Sequence, residues 1–346
     1  MIKEAIALLV EGHSLSTDQA AQVMAEIMSG EVTPAQFGAF VTALRLKGET
    51  VDEIAGLAKV MRAKAIPVHI TEPVVDTCGT GGDNLSTFNI STAAAFVAAG
   101  AGVKIAKHGN RAMSSQCGSA DVLEALGVRI DLNAEQVQKC LKEIGLGFMF
   151  APSFHPAMKY AAAPRREIGI RTVFNILGPL TNPAQAEYQV IGVPNEELGE
   201  KIALVLSHLG IKHALVVYGL VGMDEISITG KSMVWEVSRD EELLPFYSYY
   251  VSPEDFGLKR ASVKAVKGGT PAENAEMLRL VLAGKKGPRR DVVLMNAAAA
   301  IAVATKTSFG GKPALKEGVH IAEEAIDSGR ALEKLNQLIE FSRNVK

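Results

Sequence analysis

Cysteine is scarce in this chain. Its 346 residues include three, Cys78, Cys117 and Cys140. An odd number without CxxC spacing argues against a disulfide framework or a zinc cluster and points to a reducing cytoplasm. Basic excess is missing as well: 36 Lys and Arg against 38 Asp and Glu leave a formal net charge of −2, so no nucleic-acid partner is expected. Long apolar runs are also lacking. The most hydrophobic stretches, Ala93 to Val103 and Val292 to Thr305, fall short of the roughly 20 residues that cross a bilayer, and no membrane partner is expected. The opening residues, MIKEAIALLVEGHS, do not follow the pattern of a secretory signal, so residue 1 reads as the mature start. Neither a fixed-period repeat nor a low-complexity tract occurs. What remains is a globular composition, 48% hydrophobic and 21% charged, at a length that predicts two domains.

The first 65 residues read as four short helices. Ser16 with Gln19, Thr33 with Gln36 and Thr50 with Glu53 form capping boxes, and Val23, Ile27, Phe37, Phe40, Val41 and Leu44 recur at helical steps between them. Around Ile66 to Pro73 prolines and β-branched residues replace that period, which sets a boundary: a helical domain over 1–70 and an α/β domain over 71–346. Short β-rich runs (Val103 to Ala106, Gly147 to Phe150, Tyr188 to Val193, Ala214 to Tyr218) then alternate with helical stretches, including Ala93 to Ala99, Ala134 to Ile144 and Glu197 to Leu209. The alternation predicts a mostly parallel sheet with helices on both faces. Met223 to Ser238 and Leu244 to Ser252 read as neighbouring strands on an antiparallel edge. A helix begins at Thr270, Pro271 and Glu273, and the tail from Lys316 to Phe341 is helical again.

Chemistry concentrates in two turns. In VVDTCGTGGDNLSTFNIST, residues 74–92, an apolar run ends at Gly79, Gly81 and Gly82, whose backbone N–H groups can approach phosphate oxygens. Ser91 and Thr92 open the following helix, whose positive end favours an anion. Neither a Walker A loop nor a dinucleotide fingerprint fits, and a plain tight turn is the alternative. The second turn follows a predicted strand and gathers Lys107, His108, Asn110 and Arg111 with Ser114, Ser115, Gly118 and Ser119. In an open α/β sheet both turns face one crevice beyond the strand ends. Together they predict a polyanion site.

The pair DTCGTGGD (76–83) and KHGNRAMSSQCGSADVLEALG (107–127) is followed by HPAMK (155–159), PRREIG (164–169), NILGPLTNP (175–183), the acidic pair after Met223 and GGTPAEN (268–274). In this order, over most of the chain, the motifs resemble those of the anthranilate phosphoribosyltransferase family. The resemblance implies a small all-helical N-terminal domain hinged to a larger α/β domain, return of a segment near 165–182 to the helical part, and a homodimer formed through that part. It implies transfer of phosphoribosyl from phosphoribosyl pyrophosphate to the amine of anthranilate, in tryptophan biosynthesis, with Mg2+.

By the same resemblance Gly79, Gly81, Gly82 and Asp83 form the pyrophosphate turn. Thr87, Asn89, Ser91, Thr92, Lys107 and Ser119 complete the donor site, and Ser91, Asp224 and Glu225 hold the metal. Adjacent acids in an extended strand would diverge, so a turn is expected at Gly222 and Met223. Arg165 corresponds to the residue that takes the anthranilate carboxylate, with Arg166 as its neighbour, and a planar guanidinium suits that group. Gly79, His108, Asn110, His155, Gly178 and Pro179 correspond to the anthranilate lining. Lys107, Asp83 and Arg165 are expected to position groups in the transition state, with no general base, because the anthranilate amine is already neutral near pH 7. Pro156, Pro164 and Pro179 read as helix boundaries or turns. A pyrimidine-nucleoside phosphorylase and a non-enzymatic nucleic-acid-binding relative of the same fold are the alternative readings.

Overall fold

The computed structural model describes residues 1–345 apart from 84, 113–115, 241–243 and 306–309, so Ser114 and Ser115 lie outside the described residues. Four helices come first: α1 (Ile2–Val10), α2 (Thr17–Ser29), α3 (Pro34–Lys47) and α4 (Val51–Lys64). Ser16, Thr33 and Thr50 cap the last three. Each hydroxyl accepts from the N–H three residues on, and Gln19, Gln36 and Glu53 accept from the cap N–H in return. Two orphan donors are thereby satisfied at each start.

The chain continues through β1 (Val75–Gly79), α5 (Ile90–Gly100), β2 (Ile105–Gly109), α6 (Ser119–Leu126), α7 (Ala134–Glu143), β3 (Leu146–Phe150) and α8 (Ala151–Phe154). Next come α9 (Lys159–Ile168), α10 (Phe174–Leu177), β4 (Tyr188–Gly192), α11 (Glu196–His208), β5 (His213–Gly219), β6 (Ser232–Ser238) and β7 (Tyr247–Val251). Four helices close it: α12 (Pro271–Leu282), α13 (Pro288–Thr305), α14 (Gly311–Asp327) and α15 (Arg330–Asn344). The strands form one sheet in the order β3-β2-β1-β4-β5-β6-β7. Its first five strands are parallel, and β6 and β7 add an antiparallel edge. From β1 the chain moves outward to β2 and β3 and then returns to the other side of β1 with β4. That reversal opens a crevice beyond the carboxyl ends of β1 and β4.

Both faces of the sheet are covered. On one, α5 packs with α13, α14 and α15. Burial of Ile90, Phe96 and Val97 on α5 contributes on the order of 5–9 kcal/mol and fixes the helix start that faces the crevice. On the other face, α11 and strands β4 to β6 share a core with α1–α4 and with Ala161, Val173, Phe174, Leu177 and Leu180. The segment 161–180 therefore packs with the first four helices, as α9 does against α2 and α3. Arg62 Nε ties α4 to it, donating to the Leu180 carbonyl at 2.5 Å. Among the described residues no helix is long and apolar enough to cross a membrane.

Four local expectations give way. The second strand ends at Gly109 rather than Ala106, because its pairing with β3 runs on to Gly109 opposite Phe150; Lys107 and His108 are strand residues. No strand begins at Met223, since Gly222 at φ 92° reverses the chain and Met223 N–H donates to the Gly219 carbonyl at 3.1 Å. Pro164 lies inside α9, where its missing N–H removes one helical bond and its buried ring packs instead. The tail is two helices, broken at Gly329 with φ 80°.

Glu53 anchors the bundle. It is fully buried and accepts from the N–H groups of Leu15 (2.9 Å) and Thr50 (2.7 Å) and from Lys47 Nζ (3.0 Å). Glu53→Ala strands the two backbone donors and takes the carboxylate from Lys47, which keeps the Gly48 carbonyl and Ser14 Oγ, and should cost about 3–5 kcal/mol, or roughly 5 °C in thermal unfolding. An unchanged melting temperature would contradict this role.

Candidate active site

The crevice is built around one carboxylate and two glycines. Gly79 ends β1 and Gly192 ends β4 directly beside it, and Thr80 N–H donates to the Gly192 carbonyl at 2.9 Å. Asp224 rests on both. A Cβ at Gly192 would overlap the Asp224 carbonyl, and one at Gly79 would overlap its carboxylate. Only bare backbone at these two positions admits so close an approach. Asp224 Oδ2 then accepts from Gly81 N–H at 3.0 Å, which ties the acidic turn to the glycine loop, where Gly81 and Gly82 both take positive φ. From behind, the buried Asn296 of α13 accepts from Ile226 N–H and donates to the Ile226 carbonyl, each at 3.0 Å, fixing the turn just past Glu225.

That turn redirects the adjacent acids as the sequence required. Asp83, Asp224 and Glu225 each bring an oxygen into a group within 4.8 Å. Desolvation first, and then repulsion from Asp83, raises the Asp224 carboxyl from the ordinary 3.8 to about 6. Burial and the Asp224 charge hold Glu225 well above its usual range, and burial raises Asp83. Asp83 Oδ2 and Glu225 Oε2 are buried without a donor. Three crowded hard oxygen ligands of this kind fit a divalent cation such as magnesium, whose charge would relieve the repulsion.

Donors face the same space. Asn89 is the N-cap of α5 but makes no side-chain cap bond, so its side chain leaves the first N–H groups of that helix uncapped. Thr80 Oγ1 and Thr92 Oγ1 are buried and unpartnered. Lys107 Nζ reaches from β2 to β1, donating to the carbonyl of Thr77 and, at 3.4 Å, to its hydroxyl. Thr77 Oγ1 donates in turn to the Ser91 carbonyl at 3.2 Å. Burial lowers Lys107, while the buried Asp76 pulls it back up. Ser119 Oγ donates to the Asn110 carbonyl at 3.3 Å, and Thr87 bridges Lys267.

A second cluster forms where the returning segment meets β2 and the end of α8. His108 and His155 face each other with ring centroids 5.1 Å apart, and His108 Nδ1 meets the Gly178 carbonyl at 3.2 Å. Burial drives both imidazoles down, to about 3 and about 4, so both are neutral at physiological pH. His108 Nε2 is unpartnered. Asn182 Nδ2 donates to Asp76 Oδ2 and to the Ala106 carbonyl, each at 2.8 Å, and Gln189 Nε2 donates to the Pro179 carbonyl at 2.9 Å. Arg165 turns inward over the Phe174 ring at 5.4 Å, whereas Arg166 is exposed. Asn110 is exposed, and its Oδ1 accepts from Arg111 N–H at 2.8 Å.

Residues 71–332 match the glycosyl transferase family a/b domain and residues 3–65 the helical bundle domain of that family. The anthranilate phosphoribosyltransferase of Dehalococcoides mccartyi is 62% identical over 345 residues, 100% of this chain and 99% of the relative. The chain belongs to the anthranilate phosphoribosyltransferase family. Among solved structures, the family member from Thermus thermophilus has a TM-score of 0.90 at 45% identity, covering 98% of this chain and 99% of that one. The Saccharomyces cerevisiae member in complex with PRPP and Mg has a TM-score of 0.89 at 31% identity, covering 99% and 98%.

Several residues of the site lie outside the family motifs that sequence reasoning used, or had no role there. Gly192 is an isolated glycine in a strand, a sign of close backbone approach. Asp76 is a lone charge in the apolar run VVDTC. Arg171 had no signal at all. Its Nη2 donates to the carbonyls of Thr80 (2.9 Å) and Gly81 (3.0 Å), so the returning segment grips the glycine loop directly. Asp83, expected in the pyrophosphate turn, also joins the acid cluster.

The raised Asp224 carboxyl has a definite effect on stability. A folded-state value above the unfolded one contributes stability below about pH 4 that is lost as pH rises through about 6. Asp224→Asn should therefore raise the metal-free melting temperature at pH 7 by about 3 °C, on the order of 2 kcal/mol, with the gain shrinking toward pH 4. Equal melting curves at pH 7 would contradict the cost of desolvating this carboxylate beside Asp83.

Proposed function

We infer that the protein transfers the phosphoribosyl group of phosphoribosyl pyrophosphate to the amine of anthranilate, giving N-(5-phosphoribosyl)anthranilate and pyrophosphate in tryptophan biosynthesis. The observation that carries this reading is the meeting of the glycine loop and the three-carboxylate cluster at the β1/β4 crevice. A diphosphate leaving group collects negative charge as its bond to the anomeric carbon lengthens. Donors placed beforehand at the departing oxygens stabilise that charge without reorganising.

In this reading Gly79, Gly81 and Gly82 present backbone N–H groups to the diphosphate, and Asp83 orders the loop, its Oδ1 accepting from Leu85 N–H at 3.2 Å. Thr87, Asn89, Ser91, Thr92, Lys107 and Ser119 enclose the donor. Asp224 and Glu225, with Ser91, would hold magnesium, which supplies charge neutralisation at the diphosphate. On the acceptor side the Arg165 guanidinium, desolvated over Phe174, takes the anthranilate carboxylate. Gly79, Asn110, Gly178 and Pro179 line the approach to the anomeric carbon. His108 and His155, held neutral by burial, neither protonate the attacking amine nor repel the carbocation-like centre. The yeast relative solved with PRPP and Mg supports both ligands.

Two measurements test the reading. Adding phosphoribosyl pyrophosphate should quench anthranilate fluorescence only when magnesium is present; turnover of thymidine with inorganic phosphate instead would replace the transferase by a phosphorylase. Arg165→Ala should raise the anthranilate KM about 10- to 100-fold and leave the donor KM near its original value, as loss of a charged hydrogen-bonding partner implies. If both constants rise alike, Arg165 does not bind the acceptor.

A further inference from the structure

The GGTPAEN turn lies outside the chemistry above, yet its last residue reaches the donor loop. Lys267 bridges Thr87, Phe88 N–H donates to the Val266 carbonyl at 3.1 Å, and Gly268 N–H donates to the Ser86 carbonyl at 2.8 Å. These bonds hold the loop where Ser86 takes φ 53°. Asn274, 2% exposed, completes the contact. Its Oδ1 accepts from Gly269 N–H at 2.7 Å, and its Nδ2 donates to Asn89 Oδ1 at 2.9 Å. Asn89 Nδ2 then donates to the Cys117 carbonyl at 3.1 Å, while the Cys117 thiol donates to Asn89 Oδ1 at 3.3 Å.

The direction of this chain is fixed from both ends. A backbone N–H can only donate and a carbonyl can only accept, so neither amide can flip without opposing two acceptors or two donors. The consequence falls on α5. Asparagine is among the preferred N-caps because its oxygen readily accepts from the N–H groups of the first turn. Here that oxygen is committed to Asn274 and Cys117, and α5 has no side-chain cap.

We propose that Asn274 is a positioning residue for the donor: it holds the Asn89 side chain off the start of α5, leaving those N–H groups to the phosphates, and it sets the spacing between loop 86–92 and the Cys117 to Ser119 turn. The proposal rests on the reading that loop 86–92 binds phosphoribosyl pyrophosphate. Asn274→Ala removes the donor to Asn89 without adding charge; Asn274→Asp keeps the acceptor for Gly269 N–H and puts a carboxylate oxygen where that donor was. Asn274→Ala should raise the donor KM about tenfold, the scale of one hydrogen bond, with the anthranilate KM changed less than about twofold. In an Asn89→Ala background the same substitution should add little, because the side chain it positions is gone.

Steady-state kinetics in both substrates, with thermal unfolding as a check on folding, decides it. Equal rises in the two KM values, or the same donor penalty with and without Asn89, overturns the proposal; should Asn274→Ala not fold, Asn274→Asp carries the same comparison. Thr92→Ala separates the two levels of the argument. A donor KM that rises in Thr92→Ala but not in the Asn274 variant rejects the positioning role alone, whereas a donor KM unmoved by either rejects the loop as donor site and the proposal with it.

Discussion

The contact of Asp224 with the bare backbones of Gly79 and Gly192 is the constraint on which the site depends. It lets a carboxylate sit at the end of two parallel strands, where any side chain would exclude it. The same carboxylate accepts from Gly81 N–H, so the acidic turn and the phosphate loop are positioned by one group. Raised carboxyls follow from that crowding: the fold brings three acids together before a cation is present to balance them, and their desolvation and repulsion destabilise the free protein. A site so built has stability to gain from binding a metal and a polyanion.

The glycine loop is held from three directions. Asp224 grips its N–H side, Arg171 grips the carbonyls of Thr80 and Gly81 from the returning segment, and the 266–274 turn supports its far end through Phe88 and Asn89. The first and third supports belong to the sheet and its helices. The second belongs to the chain that packs with α1–α4, so any movement of the helical part relative to the sheet is felt at the loop. On the other wall, Asn182 pins the 178–182 turn to Asp76 and Ala106, and His108 meets the same turn at the Gly178 carbonyl.

Much of the fold was legible because local rules and tertiary packing agree. The three capping boxes form as written, and alternation of β-rich and helical stretches gives a parallel sheet with an antiparallel edge. Where packing overrides local preference, the sequence misleads: Lys107 and His108 read as loop residues but are held in β2 by β3, and Pro164 sits inside a helix. Within the site, the glycine loop and the acidic pair were visible as motifs. Arg171 and Asn274 were not assigned a role, because an arginine beside a helix end and an asparagine in a first helical turn are ordinary, and only long-range contacts give them one. Gly192 carried a signal, an isolated strand glycine, whose meaning needed the position of Asp224.

Crystals of the protein grown with phosphoribosyl pyrophosphate and magnesium test the central claim most directly. The account predicts the diphosphate against Gly79 to Asp83, with the cation between it and the Asp224 and Glu225 carboxylates and Asp224 still seated on Gly79 and Gly192. A donor bound elsewhere, or a cation bound without these two acids, would contradict it.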